Sequence, residues 1–417
     1  MKVPLPLPVG APLRVTLAAA DVRQELADIA RVAQGLAWQW TSEALARGDD
    51  AGANLVARQV PFVAGVHIVG KPELGGLPGV LADSLPDAWG RLLMDRALRK
   101  HGVEPRALGG IDRLTLVGAS GPGALVFAPA FDWEDVPEAF DLEQLARDSE
   151  LVLEGREPAH LDALARAGGS AGGSRPKAWV AVDAAGRMRV GAGELGPDET
   201  GWLVKFRARL HDPEDIGPIE YAYTKMAAAA GLNVPQPWLI DTARHRYFAS
   251  RRFDRDGGAR VHVLSAAGFL GVHPEQATAT DYADLLMLTR RVTRSEVEVH
   301  AAYRHAVFNV LAHNRDDHLK QFGFVRRAAT WQRSPAFDLT FSDGPGGEHT
   351  LLVAGTGQPT RASLEALAER TSIKARPAQK IRDEVSGAVS RWSTFARQAG
   401  VSAASRQRIA TTLKAIQ

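Results

Sequence analysis

The spacing of apolar and polar residues changes character several times along the 417-residue chain. Residues 1–15 hold Pro4, Pro6, Pro8 and Pro12, which predict an extended lead-in. From Asp21 to about Leu36, apolar residues at Val22, Leu26, Ile29, Ala30 and Ala33 recur every three or four positions and predict a helix. Residues 60–80 read as short strands between Gly and Pro turns. Pro86, with Ser84 or Asp87 as a cap, opens a helix predicted to run to about His101. Residues 111–128 read as loop and strand, and 129–165 as an acidic, helical boundary region. Ala178–Val182 and Trp202–Phe206 are predicted strands by length and branching. A helix from Ile219 to Ala230 is predicted to end at Gly231, a C′ glycine, with Pro235 just beyond. Helices are predicted from Asp281 to about Val310 and again beyond Arg361, with loops and short strands to Phe341 between them. There is no internal repeat.

Composition narrows the chemistry. The chain has no cysteine, which excludes disulfides, thiolate metal sites and thiol nucleophiles. Of the 50 basic residues only ten are lysines, so each lysine inside a motif is a question in itself. Net charge is +2 overall, but Thr360–Gln417 holds 11 Lys/Arg against 4 Asp/Glu, a net +7, leaving −5 for the rest. Such a segment suits an anionic partner or a solvated helical face. No basic-then-apolar leader and no membrane-length apolar run is present, so the cytoplasm is the expected location.

Three features carry candidate chemistry. Gly168–Lys177 (GGSAGGSRPK) feeds directly into a strand. Glycines let backbone N–H groups approach phosphates and Lys177 adds charge, although a flexible linker reads equally from this loop alone. Lys205 lies in an apolar strand and Glu220 in the next helix, the pattern by which kinases hold nucleotide phosphates; a lysine on a solvated strand face fits the same letters. The most specific feature is His313-Asn-Arg-Asp316-Asp-His318-Leu-Lys320-Gln321, a polar run after an apolar helix. Protein kinases place a base Asp five residues before a metal-binding Asn, and Asp316 and Gln321 have that spacing. Asp338, beside Phe337, follows where a second metal carboxylate belongs. His313 and His318, five apart without cysteine, make a poor zinc signature, and a purely structural salt-bridge loop remains open. The order Gly172, Lys205, Glu220, Asp316, Asp338 is the order of a two-lobed kinase.

In these residues the chain resembles the HipA family, serine/threonine kinase toxins of bacterial toxin–antitoxin operons. The resemblance covers nearly the whole length: Leu81–Arg91 (LADSLPDAWGR) with Asp95-Arg96, Ser170–Lys177, Trp202–Phe206, Gly231–Pro235, Arg252–Arg255, His313–Phe324 and Ser334–Thr340. It implies an α+β, bilobal protein-kinase-like fold. The implied segments are an N-terminal subdomain over 1–135, an N-lobe-like region over 136–255 and a helical C-lobe over 256–417. It implies ATP and Mg²⁺ as cofactors and Asp316 as the catalytic base. Asp338 and Gln321 would ligate the metal. Ala171, Gly172, Gly173, Ser174, Arg175, Pro176 and Lys177 would wrap the phosphates, with Lys205 and Glu220 in support. Arg251, Arg252 and Phe253 would form the hinge beside adenine, and His318, Leu319, Lys320, Gln321 and Phe337 would line the nucleotide site. Ser170, with Ser174 as a second hydroxyl, matches the autophosphorylated position that switches the kinase off. Phosphate there would place about −1.5 to −2 charges in a loop built for ATP phosphates. The implied partners are a protein substrate, an aminoacyl-tRNA synthetase in well-understood members, and a helix-turn-helix antitoxin, with operator DNA reached only through it. Two positions depart from the pattern: Gln321 stands where Asn is usual, and Arg251 where Glu is frequent. An alternative is a catalytically weak partner of such an antitoxin. A small-molecule kinase is disfavoured by the SAGGSRPK and LPDAWGR segments.

Overall fold

The computed structural model describes every residue except 1–2, 21, 49–58, 132, 134–140, 171, 192–193, 274–279 and 417. The chain folds into two compact units. The first comprises Met1–Leu210, Arg251–Val272 and Arg326–Ala329, and the second His211–Ser250, His273–Val325 and Thr330–Gln417.

The first unit opens with a five-stranded antiparallel sheet. Its strands are β1 (Leu13–Ala19), β2 (Val22–Val32), β3 (Gly35–Trp40), β4 (Val66–Val69) and β5 (Leu125–Ala128), in the order β4-β3-β2-β1-β5. The helix expected over Asp21–Leu36 is therefore a hairpin of two strands. The register explains the misleading period. Val15 pairs with Ala27 and Thr16 with Glu25, so Leu26 is an extra residue in β2. This bulge shifts the inward face from Gln24 and Leu26 to Ala27 and Ile29, all buried. A strand that changes phase once has apolar residues spaced three and four apart, as a helix does.

Helix α1 (Ala88–Lys100) follows, buried along Trp89, Leu93, Met94, Ala97 and Leu98. Asp87 occupies its N-cap position, but the Asp87 side chain makes no capping bond to the helix. Residues 110–117, expected as loop and strand, form helix α2 (Gly110–Val117), buried at every position. Its Asp112 is buried and accepts from Leu7 N and from Arg31, so a charged residue can sit in that core. Helices α3 (Leu142–Leu153) and α4 (Leu161–Gly168) precede a second antiparallel sheet, with β6 (Lys177–Val182) flanked by β7 (Met188–Val190) and β8 (Thr200–Lys205).

The second unit is mainly helical. Helix α5 (Ile216–Ala229) ends at Ala230, and Gly231 takes φ +81°, the left-handed C′ position that glycine adopts most readily. The hairpin β9 (Pro237–Asp241) and β10 (Arg246–Arg251) follows it. Helices α6 (Tyr282–Thr293) and α7 (Glu296–Leu311) then form the central pair. Ser295 caps α7, Glu296 and Glu298 occupy its first turn, and Val299, Ala302, Tyr303, Ala306 and Val310 form its buried stripe. Helices α8 (Arg361–Arg370), α9 (Ala375–Val389), α10 (Trp392–Gln398) and α11 (Ala403–Ile416) complete the unit. Trp392 packs on Tyr223 of α5, with ring centroids 5.0 Å apart. No helix among the described residues is long and apolar enough to cross a membrane.

Candidate functional site

In the first unit, the Gly/Ser loop leaves α4 and turns into β6. Lys177, the first residue of β6, is buried and donates from Nζ to Gly172 O at 2.5 Å. In the β6–β8 register Lys177 stands directly opposite Lys205. Like charges on one rung disfavour the pair, and an anion on that face offsets the repulsion. The two strand lysines singled out from the sequence are thus neighbours beside a glycine loop. Ser174 is exposed, whereas Ser170 is buried and donates to Ser120 O at 2.8 Å. Ala171 lies outside the described residues.

The expected hinge resolves into two kinds of residue. Arg251 is exposed. The Arg252 guanidinium is buried in a two-point pair with Asp254, at 2.8 Å from Nε and 2.7 Å from Nη2, and lies 3.9 Å above the Trp179 ring. Arg255 joins the same carboxylate at 2.8 Å and donates to Gly121 O and Gly123 O. Burial alone would raise the Asp254 carboxyl, but Arg252 and Arg255 outweigh it and hold the group far below its ordinary value. Burial pushes the Arg255 guanidinium down to about 9 against the pull of Asp254. The Arg252 side chain is therefore committed to the interior, and its backbone N–H donates to Gly201 O at 2.8 Å.

In the second unit, the polar run begins where α7 ends. His313 adopts φ +52° and turns the chain, with its ring stacked on Phe341 and its Nε2 3.1 Å from Asp343. Of the two adjacent aspartates, Asp316 is half exposed and Asp317 fully buried. Asp317 accepts from the Tyr282 hydroxyl at 2.7 Å, His349 Nδ1 at 2.7 Å and Thr350 N at 2.8 Å. Tyr282 in turn accepts from Asn309, which accepts from Asn314. Both neighbours of Asp316 are tied to the segment 342–351. Ser342 O accepts from Arg315 N, Thr350 N donates to Arg315 O, and Asp317 holds His349 and Thr350.

A row of polar side chains connects Asp316 to Asp338. His318 Nε2 lies 3.8 Å from Asp316 Oδ1 and 3.4 Å from Gln321 Nε2, which donates to Asp338 Oδ2 at 2.8 Å. Asp338 holds φ +58°, an uncommon conformation for a residue other than glycine. Phe337, Lys320 and Asp338 are half-buried, and Leu319 is buried beneath the run. Glu220 is buried in α5 of this unit, whereas Lys205 belongs to the first. Asp338 provides a carboxylate, and Gln321 an amide whose oxygen faces that carboxylate once the group turns over from its Nε2–Asp338 hydrogen bond; no group of three or more His, Cys, Asp or Glu gathers among the described residues. That set suits Mg²⁺, which takes one or two carboxylates and fills its shell with water and phosphate oxygens, and not zinc.

Sequence reasoning missed three participants. Asp317 reads as the twin of Asp316, and only its burial separates them. His349 lies 32 residues away, outside any motif. Asp87, expected as a helix cap, instead accepts from Gly173 N at 2.7 Å. The sequence carries one signal for it, an acidic residue within a motif that also holds Trp89 and Gly90.

Comparison with known proteins gives consistent results. Residues 169–392 match the family model for the HipA-like C-terminal domain, and 21–128 that for the HipA N-terminal domain. A curated protein of Sinorhizobium fredii, "Putative kinase Y4dM", is 27% identical, the match covering 61% of this chain and 62% of that protein. The chain thus spans under two thirds of the length of that relative. The solved HipA of Shewanella oneidensis, in complex with HipB and operator DNA, superposes with a TM-score of 0.70 at 16% identity, covering 97% of this chain and 95% of that one. At that identity the likeness speaks for the α+β, kinase-like fold.

Proposed function

The chain belongs to the HipA family, and from that premise we propose that it is a Mg²⁺- and ATP-dependent protein serine/threonine kinase. The observation that carries this reading is the row Asp316–His318–Gln321–Asp338, which joins a half-exposed carboxylate to a metal-type donor pair within one unit. Phosphoryl transfer needs positioning and charge stabilisation more than covalent chemistry. Asp316 accepts the proton of the attacking serine or threonine hydroxyl. The new bond joins that oxygen to the γ-phosphorus, and the bond to the β–γ bridging oxygen breaks as ADP departs. Lys177 and Lys205 balance phosphate charge beside the glycine loop, and Glu220 of the second unit is a further residue assigned to the nucleotide. Mg²⁺, held by Asp338 and Gln321, supplies further charge neutralisation when bound. Arg251–Phe253 in the first unit is the segment assigned to adenine, and His318, Lys320 and Phe337 are the residues of the second unit assigned to the nucleotide. Phosphorylation of Ser170 breaks its bond to Ser120 O and expels the loop, which turns the enzyme off.

The substrate is a cellular protein whose modification arrests growth, and an aminoacyl-tRNA synthetase is the first to test. The partner is a helix-turn-helix antitoxin, through which operator DNA is reached. The test uses radiolabelled ATP with Mg²⁺, and mass spectrometry of the cell's proteins after induction. Asp316→Asn is expected to lower transfer by about 10²–10⁴-fold with the fold unchanged. Transfer at the wild-type rate in that variant refutes the assigned base. A wild-type chain that labels nothing yet binds a co-encoded helix-turn-helix protein favours the binding-partner reading.

A further inference from the structure

The stretch Pro86–Gly90 carries no group assigned to the chemistry, yet it meets the phosphate loop at four points within the first unit. Asp87 Oδ2 accepts from Gly173 N at 2.7 Å, and Trp89 N donates to Gly173 O at 3.2 Å. Trp89 Nε1 donates to Lys177 O at 3.1 Å. Gly90 lies so close to the start of the loop that a Cβ there would stand 2.3 Å from Gly169 O. Both backbone polar groups of Gly173, the start of the loop and its last residue are thus held by one five-residue stretch. Gly173 itself takes φ +91°. A glycine loop is otherwise costly to order, because glycine loses the most backbone freedom.

We infer that Asp87 and Trp89 are positioning residues of the phosphate loop. They fix its shape before nucleotide arrives, so binding does not have to supply that ordering. This rests on the kinase reading for its consequence, though not for its geometry. It also gives the N-terminal segment a part in the nucleotide site: Asp87 and Trp89 lie in the region matching the HipA N-terminal domain, and the loop lies in the region matching the C-terminal one. The contact that Asp87 makes with the loop is a hydrogen bond it accepts from Gly173 N. An amide in its place keeps the acceptor, and a methyl group does not.

Amide hydrogen exchange on the full chain without nucleotide, and ATP affinity with Mg²⁺ by calorimetry, separate the possibilities. In Asp87→Ala, exchange over 172–177 is expected to rise about tenfold while the rest of the unit stays as in wild type, and the ATP dissociation constant to rise by about the same factor. kcat is expected to move less than KM. Asp87→Asn is expected to restore both readouts to within about threefold. Trp89→Phe, which keeps the ring and loses the bond to Lys177 O, is expected to loosen 176–178 without melting the unit. Unchanged exchange in Asp87→Ala overturns the inference, as does faster exchange spread over the whole unit. An Asp87→Asn chain that binds ATP more tightly than wild type also overturns it, because the carboxylate would then be a competitor of phosphate. If wild type itself fails to bind ATP, the kinase reading fails, and the exchange data still decide whether the clamp exists.

Discussion

Asp317 offers the sharpest test of how the loop carrying Asp316 is held. Replacing it with alanine removes the acceptor for the Tyr282 hydroxyl, His349 Nδ1 and Thr350 N, all within 2.8 Å. Asp317, Tyr282, and the whole of His349 except a few per cent are shielded from water, so the stranded donors cannot be solvated. Leaving one buried polar group unsatisfied costs about 1–3 kcal/mol. Part of the set relaxes, and with three donors stranded the expected loss is about 3–5 kcal/mol. For a unit of this size that corresponds to a fall in melting temperature of roughly 10 °C. Asp317→Asn is milder. Its oxygen can face Thr350 N, and its amide can face Tyr282 and His349, whose hydroxyl and ring can reorient to accept, so about 1–2 kcal/mol is expected. The assay is thermal unfolding followed by circular dichroism, with ATP turnover on the same samples. Because Asp317 and Arg315 flank Asp316, turnover in Asp317→Ala is expected to fall by about 10²-fold at a temperature where the chain is still folded. An Asp317→Ala chain that melts within 2 °C of wild type would refute the reasoning.

Three further outcomes follow from individual contacts. Gln321→Asn shortens the side chain that donates to Asp338 Oδ2 at 2.8 Å, so the Mg²⁺ concentration for half-maximal activity is expected to rise about tenfold; a fall, measured by metal titration, counts against the role of Gln321. Ser170→Ala loses only the bond to Ser120 O, worth about 1 kcal/mol, so transfer to protein substrate is expected to persist while self-labelling at this position stops; a folded but inactive variant would give the hydroxyl a direct part in transfer. Burial, reinforced by Arg326, pushes His262 down to about 4, so it stays neutral in the folded chain where the unfolded chain protonates near 6.5. Stability is thus full above pH 6.5 and is lost as pH falls towards 4, by about 3 kcal/mol at the foot of that window; His262→Gln is expected to flatten the melting profile between pH 7 and 5, and an unchanged profile refutes the assignment.

What the sequence could show follows from how locally each feature is determined. The strand at Lys177–Val182, the helix ending before Gly231 and the long α7 depend on their own letters, and they form as expected. The β2–β3 hairpin does not. Its Leu- and Ala-rich stretch favours a helix, and pairing with β1 across a bulge decides otherwise. The same holds for α2, where Asp112 looks too polar for a buried helix until Arg31 and Leu7 N are brought from 81 and 105 residues away. At the candidate site, the residues proposed for chemistry sit in compact motifs that stand out in the sequence. The residues that hold them could not, because Tyr282, His349 and Asp87 meet their partners only through tertiary structure.

The Asp316–Asp317 doublet shows why that division matters. Two identical side chains on adjacent residues point to opposite environments, one half exposed and one with no exposure at all. A carboxylate that takes a proton from a substrate hydroxyl must meet that substrate, so it cannot also be bonded to the interior. A loop that presents such a carboxylate must still be fixed, and in a chain without cysteine no covalent link does it. The neighbouring carboxylate fills that need, gathering a tyrosine from one stretch of the second unit and a histidine and the next residue's backbone amide from another. Asp87 repeats the arrangement in the first unit, where an acidic side chain holds a glycine loop through one amide. In both places the fixing residue is a good acceptor for backbone N–H, which explains why aspartate, short and able to take several donors, recurs in each. Two of the ten lysines stand together on the other side of the charge balance: Lys177 and Lys205 share one rung beside the loop.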